Sequence, residues 1–316
     1  MKILANDGIS QSGIAALEKE GFEVITTTVA QEQLQNYINE HAIVGLLVRS
    51  ATKVRKDLID ACPSLKLIGR GGVGMDNIDV EYAKEKGLHV INTPAASSGS
   101  VAELVFGHLF GGVRFLHDAN RNMPLEGDSN FKKLKKSYAG GTELRGKTLG
   151  VIGFGRIGQA TAKIALGVGM KVIYFDPYIE NATIEVPFFD GQQLSFHFKG
   201  QTKEAVLSEA DFITLHVPAQ KEYVIGKAEF DKMKDGVGLV NAARGGVVDE
   251  VALIDAIEKG KVAFAGLDVF ESEPNPEIKI LMHPSISLSP HIGAATGEAQ
   301  DRIGEELASQ IKNLLK

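Results

Sequence analysis

The chain of 316 residues contains one cysteine, Cys62. An intramolecular disulfide is excluded, and this cysteine usage fits a reducing, cytoplasmic setting. Cys62 stands before Pro63 at an expected helix end, where a small buried apolar role is expected. The N-terminus has no long apolar core and no cleavage site, so no secretory leader is expected. No apolar run reaches the length of a membrane span; the longest, such as Ala42 to Val48, are strand-sized. Basic excess is also missing. The net charge is −6, which gives no bulk signal for nucleic acid. No His/Cys/Asp cluster has ligand spacing, so no metal is expected. What remains, 44% hydrophobic and 23% charged residues, is the composition of a soluble globular protein, and the length suggests about two domains.

Apolar strand-sized runs alternate with helical patterns almost throughout, which argues for parallel α/β sheets. Strands are expected near 2–5, 22–27, 43–48, 65–68 and 88–91, then near 148–152, 171–175, 211–216, 237–241, 263–267 and 286–289. One long helix is expected from Ser100 to about Arg121, followed by a polar stretch, Gly127 to Gly141, that carries Lys132, Lys133, Lys135 and Lys136. One segment breaks the rhythm. Thr183–Phe189 and Leu194–Phe198 flank Asp190-Gly191, a type I′ signal, so a small antiparallel hairpin is expected at the sheet edge.

The pattern Gly-x-Gly-x-x-Gly occurs twice. At 153–158 it follows an apolar strand and opens a helix, and the next strand ends at Asp176. That order suits an adenine dinucleotide. Gly153 allows the turn, Gly155 lets backbone approach the pyrophosphate, and Gly158 lets the helix pack on the strand. Asp176 can accept from the ribose hydroxyls, and its charge would repel a 2′-phosphate, so NAD is expected over NADP. The second copy, Gly69 to Gly74, also follows a strand, but the strand after it ends at Asn92 and supplies no acid. There, glycine needed only for turn geometry is as good a reading as a functional one.

Three segments after late strands could carry chemistry. Arg244, beside Gly245 and Gly246, could clamp a carboxylate or simply form a surface ion pair. Asp268, Glu271 and Glu273 share one loop, where acids are usually just solvated. His291 follows Pro290 at a strand end, and an imidazole is the side chain best suited to take a hydroxyl proton and return it. His216, before Val217 and Pro218, reads as buried near the nucleotide or as core.

Taken together, Gly153–Gly158 with Asp176, Asn241-Ala-Ala-Arg244-Gly-Gly, Leu267-Asp268-Val-Phe with Glu271 to Pro274, and Pro290-His291-Ile-Gly-Ala resemble the D-isomer-specific 2-hydroxyacid dehydrogenases along the whole chain. The resemblance implies two Rossmann-like parallel-sheet domains with a cleft between them. Residues 1–97 plus 290–316 would bind substrate and 98–289 would bind NAD. It implies Arg244 as carboxylate clamp, His291 as acid/base and Glu273 as its partner. Along the cofactor it implies Gly153, Gly155, Arg156, Ile157, Gly158, Asp176, Val217, Ala242, Ala243, Arg244, Asp268, His291, Gly293 and Ala294. The glycine loop 71–74 becomes an anion nest for the substrate carboxylate.

Within the family, Val48–Val54, Gly72–Asp79, Asn92-Thr-Pro and Gly141-Thr-Glu-Leu resemble the phosphoglycerate-oxidising branch. A small phosphorylated 2-hydroxy acid is then the expected substrate. Arg49, Ser50, Arg70, Gly72, Val73, Gly74, Arg244 and His291 would contact it, and the 132–136 basic run could add charge or merely be solvated. The implied assembly is a cytoplasmic homodimer without nucleic-acid or membrane partners. A C-terminal regulatory domain of the kind longer family members carry is not expected, nor feedback through one. The alternatives are a glyoxylate or hydroxypyruvate reductase on the same scaffold and a corepressor-like NAD-sensing binding protein.

Overall fold

A computed structural model describes residues 1–316. The chain divides into two compact units, 1–100 with 294–316, and 101–293. Both are built on parallel sheets.

The first unit holds β1 (Lys2–Ala5), β2 (Glu23–Ile25), β3 (Ile43–Val48), β4 (Leu67–Arg70) and β5 (His89–Asn92), in the order β2-β1-β3-β4-β5. Strand β3 reads Ile-Val-Gly-Leu-Leu-Val without alternation because both sheet faces are covered. Leu34, Ile38 and Leu58 cover one face. Leu17, Ile303, Leu307 and Ile311 cover the other. There, helix Gln11–Lys19 meets the terminal helix Gly297–Leu315 at two glycines: a Cβ on Gly13 would lie 2.7 Å from the Gly304 Cα. The second unit holds β6 (Thr148–Ile152), β7 (Lys171–Phe175), β8 (Asn181–Pro187), β9 (Gln193–Lys199), β10 (Phe212–Leu215), β11 (Val237–Asn241), β12 (Val262–Leu267) and β13 (Ile286–Leu288). Its main sheet runs β13-β12-β11-β10-β6-β7, all parallel. The order reverses between β6 and β10. In open α/β sheets a ligand crevice forms at that point, beyond the carboxyl ends of the strands.

The structure corrects four expectations. Strand β4 runs two residues later than 65–68, because Leu65 closes a turn onto the Cys62 carbonyl (3.1 Å) and pairing begins only at Lys66. Gly69 and Arg70 therefore lie inside the strand. The single long helix is two, Ser98–Val113 and Leu116–Glu126. Phe115 breaks it at φ 57°, just after Gly111-Gly112, a pair of poor helix formers, and the Thr142 N–H takes the Val113 carbonyl at 3.0 Å. The polar stretch contains a short helix, Phe131–Ser137, with Leu134 buried and its four lysines exposed. The hairpin β8–β9 forms, but not with a type I′ turn. That turn needs positive φ at Asp190 and Gly191, and only Gly191 has it, at 84°. Gly191 N donates to Phe188 O and Phe188 N to Gln192 O, the longer loop with a left-handed glycine. Cys62 caps helix Lys56–Ala61 and is buried, which pushes its thiol up to about 11.

Candidate active site

Strand β6 ends at Ile152 and the chain turns sharply at Gly153, where φ is 89°. A Cβ there would sit 2.4 Å from the His216 carbonyl, so glycine is required where β6 and β10 part. Gly158 is required too: its Cβ would lie 2.2 Å from the Gly153 carbonyl. Gly155 is different. A Cβ would meet nothing within 4 Å and its φ of −68° is ordinary. Nothing in the protein demands glycine at 155; a ligand lying against that backbone would. Gly155 also opens helix Arg156–Val168 with no side-chain cap, so the first-turn N–H groups and the positive end of the dipole are available to an anion.

Asp176, just past β7, is tied to this turn. Its Oδ2 accepts from Phe154 N at 2.7 Å, and its Oδ1 accepts from Tyr178 N at 2.8 Å and Ile179 N at 3.1 Å. Three N–H donors fix the carboxylate, and lone pairs remain for ribose hydroxyls. A cavity of about 890 Å³ lies alongside, lined by Asp176, Tyr178 and Gln201 among others. Val217 packs 3.0 Å from where a Gly153 Cβ would be. His216 lies beneath the turn. Its Nε2 is 3.2 Å from Thr161 Oγ1 in the Arg156–Val168 helix and 3.1 Å from Thr214 Oγ1 in β10. Burial pulls its pKa down to about 3, so the ring stays neutral and pins helix to sheet. Open backbone at Gly155, an uncapped helix start and an oriented acid together fit an adenine dinucleotide.

Arg244, Asp268 and His291 leave the carboxyl ends of three adjacent strands, β11, β12 and β13. The loops after β11 and β12 touch. A Cβ on Gly245 would lie 1.8 Å from the Phe270 carbonyl, and Glu250 and Glu271 exchange bonds: Glu250 N donates to Glu271 Oε1 (2.9 Å) and Glu271 N to Glu250 Oε1 (2.8 Å). Arg244 Nη1 donates to the Ala243 carbonyl at 2.6 Å, and Asn241 Nδ2 holds the Arg244 carbonyl at 2.9 Å. Ala242 and Ala243 are buried beside it.

His291 sits in the left-handed region, φ 54°, after Pro290. Its Nδ1 lies 2.8 Å from Glu273 Oε2, while Glu273 Oε1 accepts from Phe270 N at 3.0 Å. The pair is partly exposed, with side-chain accessibilities of 41% and 36%. Nε2 makes no hydrogen bond within the chain. A mainly apolar cavity of about 440 Å³, with Phe270, Pro274, Leu281 and Leu288 in its wall, adjoins the pair. Asp268, expected along the cofactor, is 1% exposed. Its carboxylate accepts from Ile292 N (2.8 Å), Gly293 N (2.9 Å) and Ser289 Oγ (2.6 Å). Sequence reading missed that anchor, together with Ser287, Ser289 and the buried His108 bonded to both. A histidine within an apolar helical pattern gives no sign of its partners 180 residues away; only a fold can.

In the first unit, Gly71 and Gly72 follow Arg70. Gly72 has φ 144° and its Cβ would clash with the Arg70 guanidinium. The stem of Arg49 lies 3.7 Å from a Cβ on Gly71. Asn92 Nδ2 donates to the Val73 carbonyl at 2.7 Å, and the Val73 and Gly74 N–H groups make no hydrogen bond within the chain. The Arg49 N–H is held by Asp7 Oδ2 at 2.6 Å, and Ser50 beside it is exposed. Ala294, whose carbonyl accepts from Gln300 Nε2 at 2.8 Å, begins the returning segment of this unit. The basic 132–136 helix belongs to the other unit, as a solvated face.

A family model described as D-isomer specific 2-hydroxyacid dehydrogenase, NAD binding domain, matches residues 106–293. A hydroxypyruvate reductase of Thermotoga maritima is 44% identical over 98% of this chain and 97% of its own. A D-3-phosphoglycerate dehydrogenase of Methanocaldococcus jannaschii is 42% identical over 100% of this chain, which spans only 58% of that relative. Among solved structures, a glyoxylate reductase from Paecilomyes thermophila superposes with a TM-score of 0.82 at 28% identity, covering 100% of this chain and 95% of that one.

Proposed function

Because the chain belongs to the D-isomer-specific 2-hydroxyacid dehydrogenases, an NAD-binding family, we propose that it oxidises D-3-phosphoglycerate to 3-phosphohydroxypyruvate, the first step of serine biosynthesis. NAD bound along Gly153–Gly158 supplies the acceptor for the hydride leaving C2 of the substrate. The chain's own residues do the rest. Arg244 acts as the clamp on the substrate carboxylate. Glu273 accepts the Nδ1 proton of His291, so Nε2 presents its lone pair to the 2-hydroxyl and removes that proton. The same carboxylate stabilises the imidazolium that results.

The observation that carries the choice of a phosphorylated acid is the pairing of Arg49 and Arg70 against the 71–72 glycines. A substrate with a carboxylate and a phosphate needs cations beyond those that hold the carboxylate. A second reading, hydroxypyruvate or glyoxylate reduction, is favoured by the relative matched along 97% of its own length. Initial rates with NAD and 3-phosphoglycerate, glycerate or lactate, and with NADH and hydroxypyruvate or glyoxylate, separate the two. Saturable turnover of 3-phosphoglycerate, lost in Arg49→Ala, is the expected result. Strong turnover of unphosphorylated acids, indifferent to Arg49→Ala, would replace the first reading with the second.

The proposed assembly is a homodimer formed through the NAD-binding unit. Phe110, Leu116, Met123, Leu125 and Phe131, all in that unit, expose 42–77% of their surface, apolar side chains that a second copy would cover. Light scattering at micromolar concentration tests it; a monomeric mass would end it. No helix is long and apolar enough to cross a membrane, and a cytoplasmic enzyme is the setting proposed.

A further inference from the structure

The loop that carries His291 is held from below by a chain of hydrogen bonds that begins in a different element. His108, in helix Ser98–Val113, is 4% exposed. Its Nδ1 lies 2.9 Å from Ser287 Oγ and its Nε2 lies 2.9 Å from Ser289 Oγ. Ser289 Oγ donates to Asp268 Oδ1 at 2.6 Å. Asp268 then accepts from the backbone N–H groups of Ile292 and Gly293, and its own carbonyl accepts from His291 N at 2.8 Å.

The direction of every proton follows. A serine hydroxyl has one proton. That of Ser289 goes to Asp268, so its oxygen must accept from His108 Nε2–H. Nδ1 is then a lone pair and accepts from Ser287 O–H. Burial holds the His108 pKa below its usual value, against the field of Asp268 and with that of His117, which keeps the ring in this neutral form. The sheet makes room for the ring: a Cβ on Gly266 in β12 would lie 2.6 Å from the His108 Cβ. A phenylalanine or leucine would fill the same space without bonds, so packing alone does not call for histidine.

We propose that His108 is a positioning residue for the His291 loop, acting through Ser289 and Asp268. It sets the Ser289 rotamer, Ser289 and the two backbone N–H groups orient Asp268, and Asp268 holds residues 291–293 in the left-handed turn that lays the His291 ring on Glu273. This rests on the reading of His291 as the proton acceptor.

The test is a double-mutant cycle in the full chain. His108→Leu and Ser289→Ala should each lower kcat by roughly 10–100-fold, as loss of catalytic alignment does, with the KM for NAD within about twofold. The double variant should be no slower than the slower single, because both cut one chain. His108→Gln, which keeps a donor near the Nε2 position, should recover part of the loss and guards against a leucine variant that folds poorly. Unchanged kcat in His108→Leu, or losses that multiply in the double variant, would overturn the proposal. His291→Ala serves as control in the same assay. If it retains turnover, the reading of the site fails; if it alone is inactive, only the role of His108 fails.

Discussion

At 153–158 the first glycine leaves its strand; at 69–74 the first glycine stays inside one, paired between Leu47 and Ile91. The two turns share a spacing and little else. The first opens a helix of 13 residues, while the second runs into turns and no helix begins until Val80. Each is tied to the end of a neighbouring strand by one side chain, with opposite polarity. Asp176 accepts from a turn N–H at 2.7 Å; Asn92 donates to a turn carbonyl at 2.7 Å. The acid leaves an anionic edge suited to sugar hydroxyls. The amide neutralises a carbonyl, and the Val73 and Gly74 N–H groups make no bond within the chain, a pair of donors suited to a carboxylate. One residue at the end of the following strand thus separates a cofactor turn from an anion nest.

If that difference is functional, variants in the two turns should move different constants. Gly155→Val should have the largest effect. A Cβ there meets no protein atom within 4 Å, so the fold and Tm should hold, yet the side chain occupies the backbone face that the pyrophosphate needs. The KM for NAD should rise ~100-fold, about 2.7 kcal/mol, with the substrate KM little changed. A variant that binds NAD normally by fluorescence titration would show that this face is not used. Asn92→Asp should come next. It sets a carboxylate against the Val73 carbonyl, 2.7 Å away at present, and beside the nest. The substrate KM should rise about tenfold, the cost of one lost bond and a repulsion, with the NAD constant unmoved. An equal rise in both constants would erase the distinction between the turns. Smaller again is Asp176→Ala. Removing the negative charge should shift the ratio of kcat/KM for NAD over NADP by up to about tenfold toward NADP. An unchanged ratio would leave Asp176 only as a structural tie for Phe154, Tyr178 and Ile179.

Strand, turn, helix and acid at 148–176 lie close in sequence and each has a local cause, so that turn was legible. So were the parallel sheets, whose buried strands are continuous apolar runs. The two-residue displacement of β4 was not, because it depends on a turn from Cys62 to Leu65 that no periodicity marks. The break at Phe115 was hidden for the same reason. At the site, Arg244 and His291 could be singled out from their loops and Glu273 from the family resemblance, and the structure places the last two 2.8 Å apart. Their supports could not be named. His108, Ser287, Ser289, Glu250 and Glu271 act through bonds between elements, and only the order β13-β12-β11 brings those elements together.

The smallest prediction asks when a carboxylate that accepts backbone N–H groups stabilises a loop. Asp176 is partly exposed. Glu250, which trades backbone bonds with Glu271, is 7% exposed, and burial, then the charge of Glu271, holds its carboxyl above the usual range. A group whose folded pKa is raised binds its proton more tightly in the folded state. It therefore stabilises below its unfolded pKa, and that contribution is lost as pH rises through the folded value. Glu250→Gln keeps the oxygen that accepts from Glu271 N and removes the charge. Its Tm at neutral pH should exceed the wild-type value by at most about 3 °C, and the gap should close as pH falls toward 4. Should the variant instead melt lower at neutral pH, the buried carboxylate would be a net support of the loops around Arg244 and Glu273. The exchange between Glu250 and Glu271 would then belong with Asp176, as an acid whose accepted bonds outweigh the cost of its burial.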